Sequence, residues 1–291
     1  MSFERARRLL AASFAGAALC GGAIAQPAVW TVHGPRGTVV LFGSVHLLPG
    51  GLDWRPPALT DALARADELW FEIPIDQATD EAAARLAERQ GRLAAGDSLW
   101  SHLSAVQRDL VARAATKVGL DPGGLAPEKP WMAELSLELA ADARSGALAS
   151  QGVEARIQSD APPTTRRKAL ESARQQIGFL AGGDMVDQAA SLAQTAEQIA
   201  GEEDPYARTV KAWMAGDLAG LIREDVEPLR ATAPRLYDRL IVSRNRRWAL
   251  TVRSLARRDG VSVVVVGAGH LLGPEGLPAL LRAKGLDVEG P

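Results

Sequence analysis

Residues 38–51, TVVLFGSVHLLPGG, and residues 261–276, VSVVVVGAGHLLGPEG, are two versions of one local design. In each, an apolar run ends in Gly-x-x-His-Leu-Leu and passes into Gly and Pro. The chain has four histidines, and two of them stand in this pattern. An uninterrupted run such as VVLF or VVVV suits a strand buried on both faces, whereas a strand with one wet face alternates. In open sheets covered by helices, ligands sit beyond the carboxyl ends of the strands. Both motifs begin at such ends. If the two strands run parallel and close together, His46 and His270 meet at one rim as the two halves of a site.

Working outward, AVWTVHG at 28–34 reads as a strand joined to the first motif strand by a Pro/Gly turn. PPALTDALARAD at 56–67 has prolines suited to a first helical turn and apolar residues at helical spacing. ELWFEIP at 68–74 then reads as a strand stopped by Pro74. Strand, helix, strand is the α/β signature. From about residue 76 to 235 the pattern is mostly helical, with RRKALES at 166–172 as a brief strand. One long helix is expected from Pro234 to Arg258, followed by the second motif strand and a last helix near PEGLPALLRAKG. The fold class expected is α/β: a central mixed sheet flanked by helices, with a large helical insertion between the two Gly-x-x-His strands. Its sheet should contain residues 38–45, 68–73 and 261–267.

The first 25 residues read as an export signal. Arg5, Arg7 and Arg8 make a basic head, a short Gly/Ala-rich apolar stretch follows, and Ala23-Ile24-Ala25 offers a cleavage site before Gln26. That stretch falls below the ~20 strongly apolar residues that span a bilayer. Cleavage would remove Cys20, the single cysteine, so residues 26–291 would form one domain held by its core without disulfides. It would also remove three arginines and one glutamate, leaving 30 basic against 34 acidic residues. That balance argues against a nucleic-acid partner and favours a peptide or other small envelope molecule in the periplasm.

The residues that can carry chemistry follow from this layout. Imidazole binds divalent transition metals and is also a base near neutral pH. A glycine three residues before each histidine permits close backbone approach or an unusual dihedral. Glu72 sits among Trp70, Phe71 and Ile73, where a charge needs a partner; it can ligate a metal or take a proton from metal-bound water. Glu171 follows the brief strand and can be a ligand, an orienting group or a base. Arg244 can face a developing oxyanion, or it can form a buried structural pair with Glu171. His33 and His102 fit polar positions at a strand end and a helix start.

With GSVHLLP, WFEI, KPWM, the GVE segment, ALESARQQ, SRNRRWA and VVVVGAGHLLGPEGLPALLRAKG in this order, the chain resembles the TraB/GumN family, which includes the pheromone-shutdown proteins and the Tiki proteases. The resemblance covers about residue 28 to the end. It implies an α/β architecture shared with erythromycin-esterase-like proteins. From the Tiki members it implies a divalent-metal-dependent, protease-like hydrolase with His46, His270 and Glu72 as metal ligands; Glu72, Arg244 and Glu171 are the expected catalytic groups, the last two on family positions with roles read from the residues themselves. The ion would be manganese, cobalt or zinc, with manganese favoured. It also places Gln176 and Asn245 on family positions without roles. Gly152-Val153-Glu154 stands where relatives often carry Gly-x-Asp, and Glu154 is given no role. The competing reading is a non-catalytic envelope protein that binds and withholds a peptide, haem or glycan. A further alternative is ester or glycan hydrolysis.

Overall fold

Residues 26–201 and 204–291 are described by a computed structural model. The export signal expected in residues 1–25 lies outside them. Six strands form one sheet: β1 (Val29–His33), β2 (Gly37–Ser44), β3 (Glu68–Phe71), β4 (Arg166–Ala169), β5 (Gly260–Gly267) and β6 (Asp287–Glu289). Their order is β4-β3-β5-β2-β1-β6. β2, β5, β3 and β4 are parallel neighbours, whereas β1 runs antiparallel to both β2 and β6. The sheet is therefore mixed, with helices packed on it and a large helical region between its strands.

The two motif strands are direct neighbours. Their register pairs Val40 with Val263, Phe42 with Val265 and Ser44 with Gly267, so both motifs leave the sheet side by side. The continuous apolar runs are explained by burial on both faces. Val40, Phe42, Val263 and Val265 face one core with Trp54, Leu59 and Trp213. Val39, Leu41, Val264 and Val266 face the other with Trp248, Val252, Leu277 and Leu281. In the first core, Phe42 stacks on Trp54 with centroids 5.8 Å apart, and both rings touch Trp213. Burying each such side chain contributes about 1.5–3 kcal/mol before entropy is counted.

The helical region has a core of its own, in which Leu99, Val111, Leu125, Leu137, Leu192 and Ile199 pack between the helices Ala105–Val118, Pro130–Arg144 and Met185–Ala200. No helix among the described residues is long and apolar enough to cross a membrane.

The long helix expected from Pro234 to Arg258 is present as one continuous helical run, Pro234 to Leu255, but it is not regular α-helix throughout. A short helix, Pro234–Tyr237, leads into a π-helical turn, Asp238–Val242, and only then into the α-helix Ser243–Leu255. A π-turn adds about one residue to the turn, so the residues beyond it are rotated by roughly 100° from their places on a straight helix. Arg244 and Asn245 lie in the first turn presented after that rotation, and both are buried.

Candidate functional site

Beyond the carboxyl ends of the parallel strands, β2 is followed by His46, β3 by Glu72, β4 by Glu171 and β5 by His270. Each strand thus delivers one polar side chain to the same rim. Glu72, Glu171 and His270 are all less than 9% exposed, as is Arg244 from the helix Ser243–Leu255.

Arg244 is the hub. Its Nη2 donates to Glu72 Oε2 at 2.6 Å. Nε donates to Glu171 at 3.1 Å, and Nη1 to Leu240 O at 3.1 Å. Nη1 also lies 3.1 Å from His270 Nε2. Its planar fork suits this bidentate task better than a lysine would. The guanidinium lies over the Trp248 ring, 4.5 Å from its centroid. Arg247 adds a second donor to Glu171 at 3.1 Å.

Glu72 is held at both oxygens. Oε1 accepts the Gly267 N–H at 2.7 Å, and Oε2 accepts Gln176 Nε2 at 3.1 Å besides Arg244. Gln176 is placed by a capping box, Ser172 with Gln175, which starts the helix Ala173–Ala181 immediately after Glu171. Gly267 explains one of the motif glycines. A Cβ there would lie 3.3 Å from Glu72 Oε1 and 3.9 Å from His46 Nε2. Close approach is the reason, since neither Gly43 nor Gly267 has positive φ.

The two histidines, alike in sequence, differ in state. His270 Nδ1 lies 2.7 Å from Asn245 Oδ1, while Asn245 Nδ2 donates to the carbonyls of His270 and Glu275. The Asn245 amide is thereby oriented, so His270 Nδ1 carries the proton and Nε2 accepts from Arg244. Burial, with Arg244 and His46 nearby and only Glu72 opposing, pushes the His270 pKa down to about 3. His46 instead faces open space, its side chain 64% exposed, and its Nδ1 is 2.6 Å from Glu154 Oε1. The attraction of Glu154 raises the ring to about 9 against the effect of burial. Water reaching the ring screens part of that attraction, and the direction remains upward.

Burial alone would raise the Glu72 carboxyl. His270 when protonated, Arg244, His46 and the Gly267 N–H outweigh it and bring the group down to about 2. His270 is neutral at neutral pH, so Arg244 and His46 supply the compensating charge there. Glu154 is likewise held low. Burial opposes this, but the charge and hydrogen bond of His46, with the Ser44 hydroxyl, prevail.

These contacts overturn the metal expectation. Among the described residues, no group of three or more His, Cys, Asp or Glu can hold a metal ion. The donors expected to bind manganese, cobalt or zinc are His46, His270 and Glu72, and they are engaged elsewhere. The His270 Nε2 lone pair accepts from Arg244, both Glu72 oxygens are bonded, and His46 turns to Glu154. The cation among the carboxylates is a guanidinium. The metal-dependent, protease-like hydrolase reading falls with the metal site.

The chain belongs to the TraB/PrgY/gumN family. The match runs over residues 28–290. An uncharacterised protein of Treponema pallidum (strain Nichols) is 21% identical over 268 residues, covering 88% of this chain and 80% of that protein. No solved structure matches the chain.

In this member of the family, the rim opens on a cavity of about 650 Å³. Leu135, Ile177, Leu180, Leu229, Leu240 and Ile241 supply apolar wall, and Glu138, Asp142 and Asp225 supply acidic wall. Sequence reading missed the acidic wall. A signal was available, because Glu134, Glu138 and Asp142 recur at i, i+4 and i+8 on the helix Pro130–Arg144. Like charges at that spacing disfavour a helix unless something compensates. Glu154, to which the sequence pattern assigns no role, bonds Ser44 and His46. His33 and His102 lie away from the rim, each beside one carboxylate, Glu289 and Asp97.

Gly152 brings Glu154 to His46. A Cβ on Gly152 would lie 1.8 Å from the His46 carbonyl oxygen, and Val153 N–H donates to Val45 O at 3.1 Å. Gly152→Ala is expected to cost about 1–3 kcal/mol through overpacking and to part His46 from Glu154. Urea unfolding and an NMR titration of His46 check this. Its pKa should fall toward about 6.5, and an unchanged titration would refute the coupling.

Proposed function

We propose that this chain is a binding protein of the cell envelope, which takes a short, amphipathic, positively charged peptide into the 650 Å³ cavity and withholds it. The reading takes residues 26–291 as one domain, exported on the signal read in residues 1–25, with the helical region from about 76 to 235 forming one side of the cavity.

The observation that carries the reading is the imbalance of charge in the cavity wall. At the rim, Arg244 is fully engaged by Glu72 and Glu171. On the opposite wall, Glu138, Asp142 and Asp225 have no ion-pair partner among the described residues. Crowded carboxylates in a concave wall resist ionisation. Burial, then repulsion from Glu134, Asp142 and Asp225, raises Glu138 to about 8. Burial raises Glu134 to about 7 despite hydrogen bonds from Ser191 and Thr195. Burial, then the charge of Asp204 or Glu224 respectively, brings Asp142 and Asp225 each to about 6. A ligand cation would relieve this wall, and the apolar side chains would cover its body. Haem fits less well, because its propionates would meet carboxylates, His270 offers no free lone pair and the raised His46 ring is protonated at neutral pH. A glycan fits less well too, since Tyr206 and Tyr237 are the aromatic rings among the described residues lining the cavity.

Calorimetry with acetyl-Lys-Leu-Leu-Gly-amide and its norleucine analogue tests the reading. A charge-assisted contact contributes about 1.5–3 kcal/mol, so the lysine peptide should bind at least about 10-fold tighter at pH 8. That preference should shrink as the pH falls to 5 and the wall takes up protons. Glu138→Gln with Asp142→Asn should abolish it. Equal affinity for the two peptides at both pH values, or no binding of either, would sink the proposal.

A further inference from the structure

Resting on that reading, we infer that the peptide is held extended across His46, with its far side chain in a second, apolar subsite beyond the rim. A separate cavity of about 360 Å³ lies where the chain leaves β3, walled mainly by Phe71, Ile73, Pro74, Ile75, Ala149 and Ala155, with Asp80 and Glu154 also in its lining. Its size falls within the range of sites that enclose a small molecule. It shares His46, Glu72 and Gln176 with the larger cavity, so these three side chains form the boundary between the two.

Two polar atoms at that boundary have no partner among the described residues. Gln176 donates through Nε2 to Glu72, which fixes its amide orientation and leaves Oε1 as an open acceptor. His46 is bonded through Nδ1 to Glu154, which leaves Nε2 open. With the ring protonated, Nε2 is a donor. One donor and one acceptor match the carbonyl and N–H of a peptide backbone, which every residue of an extended chain carries. A compact ligand would occupy one cavity and leave the other to water. An extended chain crosses the boundary on its own backbone and places an aliphatic or aromatic side chain among Ile73, Pro74 and Ile75. The larger cavity reads charge, and the smaller one reads apolar bulk.

The experiment compares acetyl-Lys-Leu-Leu-Gly-amide with two hexapeptides that extend it by Leu-Phe, one at each end. Burying one further large apolar side chain should make one hexapeptide bind at least about 10-fold tighter than the tetrapeptide. Ala155→Trp, which fills the second cavity, should remove that gain and leave the tetrapeptide affinity unchanged. Ile75→Ser should reduce the gain in the same way, and serves if the tryptophan variant does not fold. No gain for either hexapeptide, or a gain that survives both substitutions, overturns the subsite while the tetrapeptide result leaves the proposed function standing. Failure of all three peptides to bind overturns both.

Discussion

Arg244→Met is expected to remove most of the stability of the protein. The substitution keeps an apolar stem over Trp248 but leaves Glu72 and Glu171, each less than 9% exposed, without their shared cation. Breaking a buried pair by deleting one partner costs about 3–5 kcal/mol, because the remaining charge stays desolvated. Here two carboxylates are stranded by one change, and Arg247 can answer only Glu171. Against a total of about 5–15 kcal/mol for a typical domain, urea unfolding should find the midpoint far lower or no folded protein at all. Arg244→Lys should recover part of the loss, since a point charge can neutralise but cannot fork between two carboxylates. The triple change Arg244→Met, Glu72→Gln and Glu171→Gln should be more stable than Arg244→Met alone, because no buried charge is left unpaired. A loss below about 1 kcal/mol for Arg244→Met would mean that the carboxylates are solvated, and the network as described would be wrong.

The adjacency of the motif strands was legible because it is written twice. VVLF and VVVV are runs that one wet face would forbid, and each carries its histidine at the same offset. Glu72 was legible because Trp70, Phe71 and Ile73 leave a carboxylate no reason to be there without a partner. The nature of that partner was not. Counting two histidines and a glutamate tallies donors, but it cannot tell which lone pairs are already engaged. Arg244 engages one at His270 and one at Glu72 from 26 and 172 residues away. Its side chain arrives there only after the π-turn at Asp238–Val242, which an apolar period of 3.6 does not announce. Glu154 was obscure for a related reason. Its role depends on the backbone contact between Gly152 and His46, which no local pattern encodes. The bland alternative for Arg244, a buried pair with Glu171, describes part of what it does.

The same network should carry a share of the stability that acid removes above the pH range in which unperturbed carboxylates titrate. His270 is neutral in the fold because burial disfavours its charge, Asn245 Oδ1 accepts from its Nδ1–H and Arg244 donates to its Nε2. A proton on Nε2 would set N–H against N–H, and the pKa is about 3 instead of about 6.5 in the unfolded chain. Between those values the unfolded chain binds a proton that the folded one refuses, so stability rises with pH and is lost as pH falls. Glu72, brought down to about 2, acts in the same direction from about 4.5 downward. His46, raised to about 9, and the raised carboxylates of the acidic wall act oppositely: their contribution is lost as pH rises. Because the raised wall carboxylates also change stability across pH 6.5 to 4.5, with the opposite sign, His270 is read in that window as a difference between the protein and a variant. Across those two pH units the protein should lose on the order of 2 kcal/mol of unfolding free energy relative to His270→Gln. That variant can still accept from Arg244 but cannot gain a proton, so it should start less stable at pH 7 and close the gap as the pH falls. Urea midpoints at half-unit pH steps decide the matter. If the variant keeps the wild-type slope, the acid sensitivity arises elsewhere, and His270 is not the neutral acceptor that the Arg244 network requires.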